Sequence, residues 1–180
     1  MATPLSIGLP ELRAARWQGR ELLLRPIRPE DEALHMDFLQ HLDPQDVRMR
    51  VFYTRRSIER SELARLVQID YAREMAFVAQ ATGADGLLQT LGVARAMVDP
   101  DNVDAEFGVI VRSELKGTGL GRLLMEKLVA YLRAQGTQRL VATVLDYNER
   151  MLKLAKDMGF QEDPSKTEEE GTKGIVLALT

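Results

Sequence analysis

The chain has 180 residues, 45% apolar and 28% charged, with a net charge of −3, a length that suits one domain and a composition that can bury a core. Its acidic balance argues against a nucleic-acid binder, and it has no run of roughly 18 apolar residues that could span a membrane. Cysteine is absent, which excludes disulfides, a thiol nucleophile and a Cys-based metal site and fits a reducing, cytoplasmic setting.

Residues 1–19 read as a lead-in, an ordered arm or a linker remnant. Pro4, Pro10 and two glycines break any long pattern, residues 11–16 have the composition for one helical turn, and residues 1–6 lack the basic start and apolar run of a signal peptide. The domain proper is expected over 20–180. Residues 21–27 form a first strand that ends near Pro26. Pro29, Glu30, Asp31 and Glu32 then open a helix, since proline and acids favour a first turn. It runs to about Leu42 and stops at Asp43-Pro44.

Two more helices are expected, over 46–52 and 57–69, the second with Ser57 at its N-cap. Arg48, Arg50, Arg55, Arg56, Arg60 and Arg65 crowd this region. They suit either a docking surface for an acidic partner or cofactor phosphates, or a solvated helix face partly paired with Glu59 and Glu62; the solvated face is the favoured reading.

Residues 75–81, 87–98 and 103–111 read as three strands joined by turns at 82–86 and 99–102, an antiparallel meander. A glycine-bearing loop follows. Leu120, Leu123, Leu124, Leu128, Tyr131 and Leu132 then recur at helical spacing, and Gly136 marks the stop. Residues 140–145 form a buried strand returning parallel to the fourth. Residues 148–158 form a last helix closed by Gly159, Phe160 begins a short strand, 162–171 is a charged loop, and 174–179 is the closing strand.

The chemistry centres on 104–136. Strand, glycine loop and helix start make an anion site, because N–H groups and the dipole at a helix N-terminus favour negative charge. Gly117, Gly119 and Gly121 let the backbone approach the ligand. A dinucleotide fingerprint starting at Gly117 would need glycine at 122, which is Arg122, and no Gly-Lys-Ser/Thr triplet of a P-loop follows.

Lys116-Gly117-Thr118-Gly119-Leu120-Gly121 resembles the acyl-CoA pyrophosphate loop of the GNAT N-acetyltransferases, Gln/Arg-x-x-Gly-x-Gly/Ala, with Lys116 at the first position. Residues 148–160, from Asn148 to Gly159-Phe160, are similar to that family's Asn-x-x-Ala-x-x-Leu-Tyr-x-x-x-Gly-Phe block. Residues 24–31, 99–102, 105–107 and 111–117 look like the catalytic domain of bacterial Pat-type protein lysine acetyltransferases. The resemblance covers roughly 20–180. It implies an α/β (α+β) GNAT fold: a mixed, mostly antiparallel sheet flanked by helices, with the fourth strand bulging and splaying from the fifth.

It further implies acetyl-CoA as co-substrate and no metal. Val109, Ile110 and Val111 would pair with the pantetheine arm as an added strand, and an N–H near Val109 would face the thioester oxygen. Lys116, Gly117, Thr118, Gly119, Leu120, Gly121 and Arg122 would hold the pyrophosphate, and Asn148 would contact the cofactor arm or cap its helix. Glu106 matches the family's general base; a carboxylate in an apolar strand is also expected to have a raised pKa, although alternation alone allows a plain surface acid. Position 155, where many members carry a tyrosine general acid, is Ala155, so no acid is assigned; Tyr147 precedes the helix. His35 and His41 have poor metal spacing on a helix.

The resulting expectation is a protein lysine N-acetyltransferase acting on an AMP-forming acyl-CoA synthetase. In such proteins an acyl-CoA-synthetase-like region often precedes this domain, so the chain could be an excised domain. A small-molecule amine N-acetyltransferase and a non-catalytic acyl-CoA-sensing domain stay open as alternatives.

Overall fold

The computed structural model describes residues 13–43, 60–167 and 169–180. The expected helix over 46–52, the Ser57 cap and Arg48, Arg50, Arg55 and Arg56 lie outside them.

Strands β1 (Arg13–Trp17) and β2 (Arg20–Pro26) open the described chain. A short 3-10 turn at Pro29–Asp31 leads into α1 (Glu32–Gln40), and α2 spans Arg60–Val67. The meander is β3 (Glu74–Thr82), β4 (Leu88–Val98) and β5 (Asp104–Val111). After it come α3 (Leu120–Ala134), β6 (Arg139–Leu145), α4 (Glu149–Asp157), β7 (Gln161–Glu162) and β8 (Thr172–Ala178). The strands form one eight-stranded sheet in the order β1-β2-β3-β4-β5-β6-β8-β7, antiparallel throughout except for the parallel β5–β6 pair. This is the mixed, helix-flanked sheet that the sequence suggests.

Alternation within the strands builds a core on each face of the sheet. Met75, Phe77 and Ala79 of β3 join Ala105 and Phe107 of β5 beneath Leu120, Leu124, Leu128 and Leu132 of α3. Ala76, Val78, Val93 and Ile110 point the other way, against Phe38 of α1 and Val67 of α2.

Two details differ from the sequence-based expectation. The helical turn expected over 11–16 is instead strand from Arg13 onward. Gln18 and Gly19, both at positive φ, make a two-residue hairpin turn, and Trp17 pairs with Arg20 across it. The second concerns the bulge expected in the fourth strand, here β5. The register of β5 against β4 runs unbroken from Ala105 to Val111, and the only shift in the meander lies between Ala79 and Gln80 of β3, opposite Leu91.

Candidate active site

β5 and β6 pair only over Asp104–Glu106 and Arg139–Val141. Beyond this point β5 stays with β4 to Val111, and β6 stays with β8 to Leu145. Each strand keeps its outer ladder while the inner one opens, so the splay exists without a bulge in β5. A cleft of about 560 Å³ fills the gap, walled by 106–111 of β5 and 142–144 of β6 and closed by the glycine loop, the first turn of α3 and α4.

The hydrogen-bond pattern fixes which backbone groups face this cleft. The Arg112 amide donates to the Leu91 carbonyl, and the Asp99 amide donates to the Asp104 carbonyl. Antiparallel residues alternate between pairing and facing away. Even-numbered residues of β5 therefore bond to β4, and the N–H and C=O groups of Val109 and Val111 point into the gap. Ile110 also lines the cleft, but its backbone pairs with β4 and its side chain is buried in the opposite core.

At the loop, a 3-10 turn at Ser113–Leu115 ends β5, and Gly119 caps α3. Gly117 and Gly119 have φ of 75° and 84°, a left-handed conformation that strains other residues. Gly121 sits inside the helix, where an added Cβ would meet Leu154 at 3.8 Å. Lys116, Gly117, Gly119, Leu120, Gly121 and Arg122 all line the cleft. Thr118 turns inward: its hydroxyl donates to the Leu115 carbonyl at 2.5 Å. Arg122 also reaches Glu126 at 3.0 Å.

Asn148 lines the cleft and caps α4, accepting a hydrogen bond from the Met151 amide at 3.2 Å. The capping role is thus real, whatever else its side chain contacts. Ala155 is buried in the core, and Tyr147 is exposed and not part of the cleft lining.

Glu106 lies at the end of the cleft where β5 leaves β6. Its neighbours Ala105 and Phe107 face α3, so Glu106 projects to the face shared with α1 and α2. The carboxylate is exposed, so the burial expected from its apolar strand is not present. Two residues earlier, Asp104 accepts from Arg139 at 2.6 Å and Lys166 at 2.9 Å. Burial raises the Asp104 pKa, but these two cations outweigh it and hold it below the ordinary carboxylate range.

Sequence reasoning missed the contribution of α4. Arg150, Met151, Lys153 and Leu154 line the cleft, and Arg150 Nη1 lies 3.4 Å from where a Cβ on Gly117 would stand. The sequence offered only Arg150 and Lys153 after Asn148, beside the acidic Glu149; the position of Arg150 over the glycine loop follows from tertiary packing. The rim carries Lys116, Arg122, Arg150 and Lys153 with the acids Glu106 and Asp157, and Lys153 pairs with Asp157 at 2.9 Å. Backbone amides in the gap, left-handed glycines at a helix start and this excess of cations suit an anionic ligand with an amide-bearing arm.

Residues 41–160 match the acetyltransferase (GNAT) family. An acetyltransferase from Pseudomonas aeruginosa is 30% identical over 148 residues, covering 81% of this chain and 79% of its own length. The crystal structure of the GNAT domain of S. lividans PAT superposes with a TM-score of 0.80 at 20% identity, covering 93% of this chain and 96% of that one. A spermidine N-acetyltransferase from Vibrio cholerae, solved with CoA and spermine, gives a TM-score of 0.68 at 20% identity over 88% of this chain and 95% of its own. This chain belongs to the GNAT family of acetyltransferases.

Proposed function

We propose that this chain is an acetyl-CoA-dependent protein lysine N-acetyltransferase whose acceptor is an AMP-forming acyl-CoA synthetase. The gap that pierces the sheet is its main support. The glycine loop and Arg150 lie on the α3–α4 side of that gap, and Glu106 projects to the α1–α2 side. A thioester threaded along Val109 and Val111 would reach an amine arriving from the opposite face. The likeness to the S. lividans PAT domain favours a protein acceptor.

In this reading the loop amides, Lys116 and Arg150 hold the pyrophosphate, and the outward-facing backbone of Val109 and Val111 pairs with the pantetheine amides. The Val109 N–H polarises the thioester carbonyl. A lysine, with an ordinary pKa of about 10.4, arrives as ammonium. Glu106 takes one proton, directly or through one water, and passes it to solvent; the freed amine attacks the carbonyl carbon, its nitrogen loses a second proton to Glu106 or water, the C–S bond breaks, and the thiolate leaves. With Ala155 in place of a phenol, the thiolate takes its proton from solvent; a thiol pKa of about 8.5 makes it a tolerable leaving group.

A small amine as acceptor is the second reading, favoured by the likeness to the V. cholerae spermidine enzyme. Intact-mass analysis of an AMP-forming acetyl-CoA synthetase incubated with acetyl-CoA and this protein tests both, beside Glu106→Gln. One acetyl group gained with wild type, at a rate lower by about 10²–10⁴-fold with the variant, is the expected result. Equal acetylation by both proteins would remove Glu106 from its role. No acetylation despite tight acetyl-CoA binding would favour the small amine or a sensor without turnover.

A further inference from the structure

We infer that Trp17, from the N-terminal strand, is a positioning residue that sets the phosphate-binding form of the glycine loop. Trp17 is 4% exposed, and its indole Nε1–H donates to the Thr118 carbonyl at 3.0 Å, bridging 101 residues of sequence. The tight Gln18-Gly19 turn and the β1–β2 ladder hold it in place.

The peptide plane explains the consequence. In a planar trans peptide the C=O of one residue and the N–H of the next point in opposite directions. The Thr118 carbonyl is held towards the indole, so the Gly119 N–H is turned the other way. Gly119 caps α3 and lines the cleft, the place where a phosphate needs an amide donor. Gly119 has no Cβ to resist rotation of this peptide, so the loop on its own could also turn a carbonyl towards the phosphate. The indole bond and the Thr118 hydroxyl on Leu115 bias it to the donor form.

The inference rests on the reading that this loop takes the pyrophosphate of an acyl-CoA. Calorimetry of CoA against wild type and Trp17→Phe separates the two ideas, because wild-type binding tests the reading and the variant tests the brace. Phenylalanine keeps a ring in the core and removes the donor together with part of the indole's volume, a packing loss that would weaken both ligands alike. CoA affinity should fall by about three- to tenfold, the worth of one net hydrogen bond. Acetyl-pantetheine, which lacks the pyrophosphate, should bind both proteins alike; equal loss for both ligands would mean a general structural role and overturn the inference, as would unchanged CoA affinity.

Trp17 is the only tryptophan, so wild type has a single indole N–H resonance. It should shift saturably with CoA and stay in place with acetyl-pantetheine. If Trp17→Phe does not fold, this resonance decides: no response to saturating CoA overturns the brace.

Discussion

Glu106 lies directly opposite Met97 in the β4–β5 ladder, and Met97 is 56% exposed. A large apolar side chain left in water beside a carboxylate suits the methylene stem of an incoming lysine. Met97→Lys places a cation opposite Glu106 and repels an ammonium acceptor. The expected result is a rise in acceptor KM of about fivefold, from a like-charge penalty of about 1 kcal/mol, with CoA affinity unchanged. Steady-state kinetics with each substrate varied in turn would check it; a matching loss of CoA affinity would place Met97 in the cofactor site instead.

The 3.4 Å approach of Arg150 to the Cβ position of Gly117 puts a guanidinium over the glycine loop. Arg150→Ala should weaken CoA by about tenfold or more, as expected for a lost hydrogen bond to a charged group. The loss should shrink as salt rises, because the side chain is exposed and its charge is screened. Calorimetry at low and high ionic strength measures both effects.

How far the sequence predicts this site differs from residue to residue. The glycine loop was readable because left-handed backbone and close approach need glycine at fixed spacing, and Gly117 and Gly119 adopt that backbone. The long helix was readable because Leu120, Leu124, Leu128 and Leu132 share one face. Strand β1 escaped because Arg-Ala-Ala-Arg-Trp carries no apolar alternation and is defined mainly by its partner β2. Arg150 escaped because a surface arginine acquires a ligand only when α4 packs over the loop. The apolar sequence around Glu106 suggested burial, but Glu106 stands at the last β5–β6 pair, on the rim of the cleft, and is exposed, a placement that depends on two strands together.

Arg25 and Asp31 form a buried bidentate pair at 2.7 and 2.5 Å, and the Arg28 amide also donates to Asp31 at 2.8 Å. Burial pushes the Asp31 pKa up, but Arg25 and the Arg28 amide outweigh it and hold it below its ordinary 3.8. A lowered folded pKa gives stability that is complete above the unfolded value and lost as pH falls through the folded one. Asp31→Asn should therefore flatten the acid limb of a urea-stability profile below about pH 4. At neutral pH it should cost about 3–5 kcal/mol by leaving the buried Arg25 without its counter-charge. An unchanged acid limb would show that other carboxylates, Asp104 among them, set it.

Gly174 has no space for a side chain: a Cβ would lie 2.5 Å from the Asp163 carbonyl oxygen and 2.7 Å from Lys166 atoms. Gly174→Ala should destabilise by about 1–3 kcal/mol through overpacking against backbone, read as a lower melting temperature. It should also displace Lys166 from Asp104, two residues from Glu106 on the same strand. Acetyl transfer measured well below the melting temperature then reports whether that ion pair supports Glu106.

The partial β5–β6 pairing leaves two strand edges, 107–111 of β5 and 142–144 of β6, facing each other across the cleft. On the proposed function, a cofactor pairing with these edges would add ladder hydrogen bonds to the fold, so its binding would also stabilise the folded chain. At a hundredfold excess over its Kd such a ligand adds about 2.7 kcal/mol to stability. Under that reading the melting temperature of this protein would rise with CoA concentration, tying its stability to the supply of its own co-substrate.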